Sequence, residues 1–177
     1  SLNKDRNPFI FWKTINALIQ ENKDFSNDIK IKLIGPIDVS VNDELEKNNL
    51  TTNTTLIESL PHKEVLNHLM KSQTLLLPLN DVPNIDGVIP GKMYEYFGAK
   101  RPIICIGKID GDAAEVIKET NTGIVVGFSN AEKLKQEILR MYHDYKNGNL
   151  QVHSQNYTKY SRKILASKIA NVLDTIT

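Results

Sequence analysis

Glu95 and Lys92 stand three positions apart, directly after a loop that reads Asp86-Gly87-Val88-Ile89-Pro90-Gly91. At that spacing a carboxylate and an ammonium share one side of a helix. The carboxylate can accept hydrogen bonds from neutral hydroxyls, and the ammonium can face phosphate oxygens. Gly87, Val88, Pro90 and Gly91 form a turn that exposes N–H groups, and a helix starting near Gly91 adds its own unpaired N–H groups; together they suit an anion. Plainer roles stand beside these. Glu95 could pair with Lys92 or Lys100 on a solvated helix, Lys92 could be a surface lysine, and the loop residues could serve only to shape the turn. His62, at the start of another helix, is either a helix-start residue close to the same site or a catalytic group. Tyr94, Tyr96 and Phe97 read as core side chains.

These residues need a strand before them and a helix under them. The apolar run 74–79 is too short for a core helix and reads as a fully buried parallel strand, while Met93, Tyr94 and Phe97 give the following helix an apolar side. A strand thus ends, a loop turns, and a helix N-terminus faces the strand's carboxyl end, where ligands sit in a parallel α/β sheet. The rest of the chain repeats the pattern. Asn7-Pro8 reads as an N-cap with proline at the first helical position, followed by Phe9, Trp12, Ile15, Leu18 and Ile19 at helical spacing. Strands are expected at 29–34, 56–60, 103–106 and 124–128, and helices at 41–47, 61–70, 113–120 and from about 130. The expected fold class is α/β, a Rossmann-like doubly wound parallel sheet in a single domain. Residues 1–155 make that domain, and 156–177 form an amphipathic helix after a polar linker at 146–155. Only residues 1–6 precede the first helix, so the first strand is expected to be truncated and to lie mostly upstream.

Composition narrows the function classes. The sequence has 177 residues, 40% hydrophobic, with 22 basic against 21 acidic side chains, which suits one packed core and gives no charge excess for nucleic acid. The single cysteine, Cys105, lies in an apolar run, so it reads as a buried strand thiol and suits a reducing compartment. The four histidines form no metal-like cluster, so no metal is expected. Neither Gly-x-Gly-x-x-Gly nor a Walker lysine loop is present.

The ordered segments Pro61-His62-Lys63-Glu64-Val65, Leu75-Leu76-Leu77-Pro78-Leu79, Ile89-Pro90-Gly91-Lys92-Met93-Tyr94-Glu95-Tyr96-Phe97-Gly98-Ala99-Lys100-Arg101-Pro102 and Gly111-Asp112-Ala113-Ala114-Glu115 resemble the C-terminal half of a group 1 (family 4) glycosyltransferase of the GT-B fold. That resemblance implies two Rossmann-like halves, this one holding a nucleotide-sugar donor and a missing N-terminal half holding an acceptor saccharide or glycolipid. It implies a retaining glycosyltransferase of hexosyltransferase type, used in polysaccharide biosynthesis, with no cofactor beyond the NDP-sugar and no metal. By the same resemblance Glu95 holds the ribose hydroxyls, and Lys92, Gly91, Pro90, Val88, Gly87 and Asp86 surround the donor. His62 lies near the base site, and Arg6 or Lys4 is a candidate for one member of the basic pair that balances the diphosphate. The family's first acidic residue is replaced by Gly87, with Asp86 beside it. Residues 156–177 would pack back toward the missing half. The enzyme is expected to be cytoplasmic, with peripheral membrane association open to the full-length protein, and this fragment alone to be inactive. A non-catalytic flavodoxin-like binding domain and half of a sugar-nucleotide epimerase remain the alternatives.

Overall fold

In the computed structural model, which describes residues 2–83 and 85–176, strands and helices alternate along the chain. The strands are β1 (Ile31–Ile34), β2 (Thr54–Ile57), β3 (Leu75–Pro78), β4 (Ile103–Ile106) and β5 (Gly123–Val126), and every named pair is parallel. The helices are α1 (Phe9–Glu21), α2 (Lys23–Asp28), α3 (Val39–Lys47), α4 (His62–Lys71), α5 (Lys92–Ala99), α6 (Asp112–Thr120), α7 (Ala131–Lys146) and α8 (Arg162–Asp174).

β4 explains how the layers form. Successive side chains of a strand point to opposite faces. Ile104 and Ile106 enter a cluster with Trp12 and Leu18 of α1, Val41 of α3 and Leu134 of α7. Ile103 and Cys105 enter a second cluster with Met93 and Phe97 of α5 and Ala114 and Ile117 of α6. Helices therefore cover both faces of a parallel sheet, the doubly wound α/β arrangement expected from the sequence. Cys105 is buried, and that burial pushes its thiol up to about 12.

The sheet itself departs from expectation. Its strands fall into two parallel sheets, β1-β2 and β3-β4-β5, instead of one five-stranded sheet. β1 and β3 each pair on one edge only, and they stand on either side of a gap. Leu2 makes an isolated parallel bridge to Ile37, and the Asp38 N–H donates to its carbonyl at 2.9 Å, so the chain enters beside the carboxyl end of β1. Ser1, the other end of the expected truncated strand, lies outside the described residues.

Smaller shifts have local causes. The strand expected at 56–60 is Thr54–Ile57, because β-branched Thr54 and Thr55 pair with Ile31 and Lys32 and the Thr54 hydroxyl ties back to Leu50 O at 2.8 Å. Ile29 belongs to the end of α2, a short helix with no sequence expectation, capped by the Asn22 side chain on the Phe25 N–H at 3.0 Å. Pro8, not Asn7, is the N-cap residue of α1. Asn7 is buried instead, where its carboxamide accepts from Trp12 Nε1 at 2.7 Å and donates to Ser40 O at 3.0 Å. α6 stops on Asn121 in the left-handed region, φ 47°, and Gly123 then lies so close to β4 that a Cβ there would fall 2.1 Å from Ile103 O.

After α7 the chain crosses to the β3-β5 side. Tyr160 donates its hydroxyl to Glu119 at 2.7 Å and stands 6.3 Å from the Phe97 ring, while Ile169, Val172 and Ile176 further along are exposed. None of the described helices is long and apolar enough to cross a membrane.

Candidate functional site

The site lies at the carboxyl end of β3. Beyond Pro78 the chain turns outward, and the turn formed by Lys4–Arg6 is stitched onto it: Arg6 Nε donates to Asn80 Oδ1 at 2.8 Å, and the Asp81 N–H donates to Asp5 O at 2.9 Å. Arg6 is thereby fixed beside the strand end with its remaining guanidinium N–H groups directed by a planar fork.

α5 faces this point from the other side of the loop. Its first turn is wound tightly, with the Met93 N–H donating to Pro90 O at 2.9 Å and the Tyr94 N–H to Gly91 O at 3.2 Å. Those bonds consume two of the helix's free donors and leave the N–H groups of Gly91 and Lys92 outside the local bonding. Met93 and Phe97 anchor the helix in the core, which turns Glu95 to the opposite, half-exposed side.

His62, the first residue of α4, reaches Glu95: its Nε2 stands 3.2 Å from Glu95 Oε1 and donates whenever that nitrogen carries its proton. Next to Glu95, Tyr96 donates its hydroxyl to Leu76 O at 3.2 Å. Burial, and then the charge of Glu95, push the Tyr96 phenol up to about 12, so it stays a neutral donor.

A cavity of about 620 Å³ runs along the gap between β1 and β3, and Arg6, Pro90, Lys92 and Glu95 border its carboxyl end. The structure thus brings four of the sequence candidates to one mouth, two cations and one carboxylate among them, with His62 joined through Glu95. The other loop candidates face elsewhere. Asp86 is bound to Lys108 at 2.6 Å, and its carbonyl accepts from the Asp112 N–H at 2.8 Å, which straps the loop to the start of α6. Gly111 permits that strap, since a Cβ there would meet Asp86 O at 3.1 Å. The Asp86 carboxylate in turn raises the Lys108 ammonium above its ordinary value. Gly87 is exposed within the strapped turn, and Val88 is 43% exposed with its N–H donating to Ile85 O at 3.1 Å.

Neither Asn80, the first residue of the loop after the apolar run 74–79, nor Lys108 is among the site residues expected from the sequence. Lys108 directly follows the strand-ending Gly107, a position at the carboxyl edge of the sheet that could have marked it. Asn80 is an ordinary loop residue until Arg6, 74 positions away, is known to touch it.

The comparisons with known proteins follow this geometry. A family model described as glycosyl transferases group 1 matches residues 2–144. No curated protein matches the sequence. Among solved structures, sucrose-phosphate synthase from Thermosynechococcus elongatus superposes with a TM-score of 0.71 at 13% identity, covering 98% of this chain and 43% of that one. WaaG, a glycosyltransferase involved in lipopolysaccharide biosynthesis, superposes with a TM-score of 0.60 at 15% identity, covering 89% of this chain and 43% of that one. At such identities the likeness is one of fold, and the chain spans less than half the length of either protein.

Proposed function

The chain belongs to the group 1 glycosyl transferases, and from that premise we propose that it is the donor-binding half of a retaining hexosyltransferase, holding a nucleoside-diphosphate sugar at the mouth bordered by Arg6, Lys92 and Glu95. The observation that carries the reading is that one carboxylate and two cations from two separate stretches of sequence, the Lys4–Arg6 turn and α5, converge on one opening at the carboxyl end of β3. Ribose hydroxyls donate to an ionised carboxylate through charge-assisted hydrogen bonds, and Arg6 with Lys92 can balance a diphosphate. His62 then serves to orient Glu95. Its contact engages Oε1 and leaves Oε2 outside that hydrogen bond. No catalytic nucleophile is needed in this half if its work is to position the donor and stabilise the departing diphosphate.

In this reading the acceptor, a saccharide or glycolipid, is bound by a second half, binding needs no metal, and α8 packs partly against that half. The whole enzyme works in the cytoplasm, peripheral to a membrane where the acceptor is a glycolipid. Calorimetric titration of UDP, GDP and ADP, with and without EDTA, tests the site. Loss of bonds from two hydroxyls to a charged group amounts to roughly 1.5–3 kcal/mol, so Glu95→Ala should weaken the tightest nucleotide about tenfold to a hundredfold, and Glu95→Gln less. Equal affinity for wild type and Glu95→Ala would refute the assignment.

A further inference from the structure

α5 is fixed to the sheet through the core, and α4 is held to α5 by polar contacts. Met93 and Phe97 of α5 sit in the second cluster, and the Tyr96 hydroxyl ties that helix to Leu76 O of β3. No residue of α4 is buried. Two polar side-chain contacts join it to the α5 segment, one at each end. At the start of α4, His62 Nε2 meets Glu95 Oε1 at 3.2 Å. At its finish, Arg101 donates Nε to Met70 O at 2.9 Å and a second hydrogen bond from Nη2 to the same oxygen.

The Arg101 end is the firmer anchor. Met70 O is one of the last carbonyls of α4, which have no donor within the helix, and the Ser72 N–H beyond it turns back to His68 O and Leu69 O instead. A guanidinium there gives charge-assisted bonds to an otherwise orphaned carbonyl at the negative end of the helix dipole. The backbone that carries Arg101 is itself fixed. Lys100 before it ends α5 in the left-handed region, φ 54°, and the carbonyl of Pro102 after it accepts from the Leu75 N–H at 2.9 Å. Arg101 does not line the cavity, so it has no direct access to whatever the mouth holds.

We infer that Arg101 is a positioning residue for the nucleotide mouth: by pinning the C-terminal end of α4 it keeps His62 on Glu95, and so fixes the carboxylate that receives the ribose. Leverage connects the two ends. His62 and Met70 lie eight residues apart, about 12 Å along the helix axis. Were the Met70 end free, a tilt of α4 by about 10° would move the imidazole by about 2 Å, enough to break its contact with Glu95. The inference rests on the proposed role of Glu95.

Two measurements test it. Nuclear Overhauser contacts between the His62 ring and the Glu95 side chain, recorded without nucleotide, read the positioning alone. They are expected in wild type and in Arg101→Lys, which keeps the charge and one donor, and should be lost in Arg101→Ala. Calorimetric titration of UDP, GDP and ADP reads the consequence. The tightest of the three should weaken about threefold to tenfold in Arg101→Ala and in His62→Ala, and stay within about twofold for Arg101→Lys. Arg101→Ala should cost nothing more once His62 is alanine, whereas a helix cap of purely structural effect would add its loss in either background. Ring contacts unchanged in Arg101→Ala, or losses that add, overturn the inference. If Glu95→Ala binds as tightly as wild type, the proposed function falls and this role falls with it. Weaker binding by Glu95→Ala with unchanged binding by Arg101→Ala overturns the role of Arg101 alone.

Discussion

The half-sheet β3-β4-β5 and the half-sheet β1-β2 are each parallel and pack on one shared cluster of helices, but they differ in how far they are buried. All four residues of β4 are buried, and β3 has three of its four inside. In β1 only Ile31 is buried, and in β2 none is, with Leu56 53% exposed. The sequences lean the same way, since Leu-Leu-Leu-Pro and Ile-Ile-Cys-Ile are apolar throughout while Ile-Lys-Leu-Ile and Thr-Thr-Leu-Ile carry polar side chains. The neighbours match. β4 has a strand on each edge and a helical layer on each face, whereas β2 is an outer edge and β1 borders an open slot. Burial of a parallel strand thus goes with both its own apolar run and its position in the assembly.

The strongest way to test that contrast is at the seam that joins the halves. Trp12 is fully buried in the cluster that contains both Ile31 of β1 and Ile104 of β4, and its indole N–H is bonded to Asn7. Trp12→Ala should cost about 3–5 kcal/mol, from the cavity and from the Asn7 amide left unpaired. Urea unfolding should show both halves lost in one transition. Two separated transitions would mean that the seam does not couple them.

A smaller pair of changes compares the halves directly. Ile103 is fully buried in β4, and its truncation to Ala is expected to cost about 2–5 kcal/mol. Leu56→Ala, on the open face of β2, should stay within about 0.5 kcal/mol. A similar cost at the two positions would show that β2 is covered in solution and that the difference between the halves is not real.

What the sequence revealed follows the same division. The strands of the buried half, 74–79 and 103–106, are continuous apolar runs bounded by turn formers, and their location was legible to within a residue or two. The alternation of strands and helices gave the fold class. In the open half the signal was weaker. Thr54 and Thr55 look like loop residues until Ile31 and Lys32 are beside them, so the strand was placed too late in the chain. The division into two sheets could not be read at all, because which strands pair is settled by long-range contacts that periodicity does not carry. At the site, Glu95 and Lys92 were found from spacing on one helix, which is local information. The convergence of Arg6 and the turning of Asp86 to Lys108 are long-range contacts, and periodicity carries none of those.

The smallest expected effect compares two carboxylates that share a design. Asp28 receives the Tyr142 hydroxyl at 2.8 Å and the Lys146 ammonium at 2.9 Å, tying α2 to α7 at the seam. Glu119 receives the Tyr160 hydroxyl at 2.7 Å and the Lys159 ammonium, tying α6 to the turn before α8. In each case the lysine hydrogen bond, then that of the tyrosine, holds the carboxyl below its ordinary value of 3.8 for Asp28 and 4.5 for Glu119. A depressed folded value means that the contribution to stability is complete above the ordinary value and disappears as pH falls through the folded one. Both pairs are open to solvent, so salt should screen them. Thermal unfolding of wild type, Asp28→Asn and Glu119→Gln between about pH 6 and pH 2 is the test, since carboxylates titrate in that range. Each variant should start slightly less stable and meet the wild-type curve at the acid end. The change for Glu119→Gln should begin at the higher pH. Adding about 1 M salt should narrow both gaps at neutral pH. Curves that run parallel throughout would show that neither carboxylate is held in the folded protein by its lysine and tyrosine.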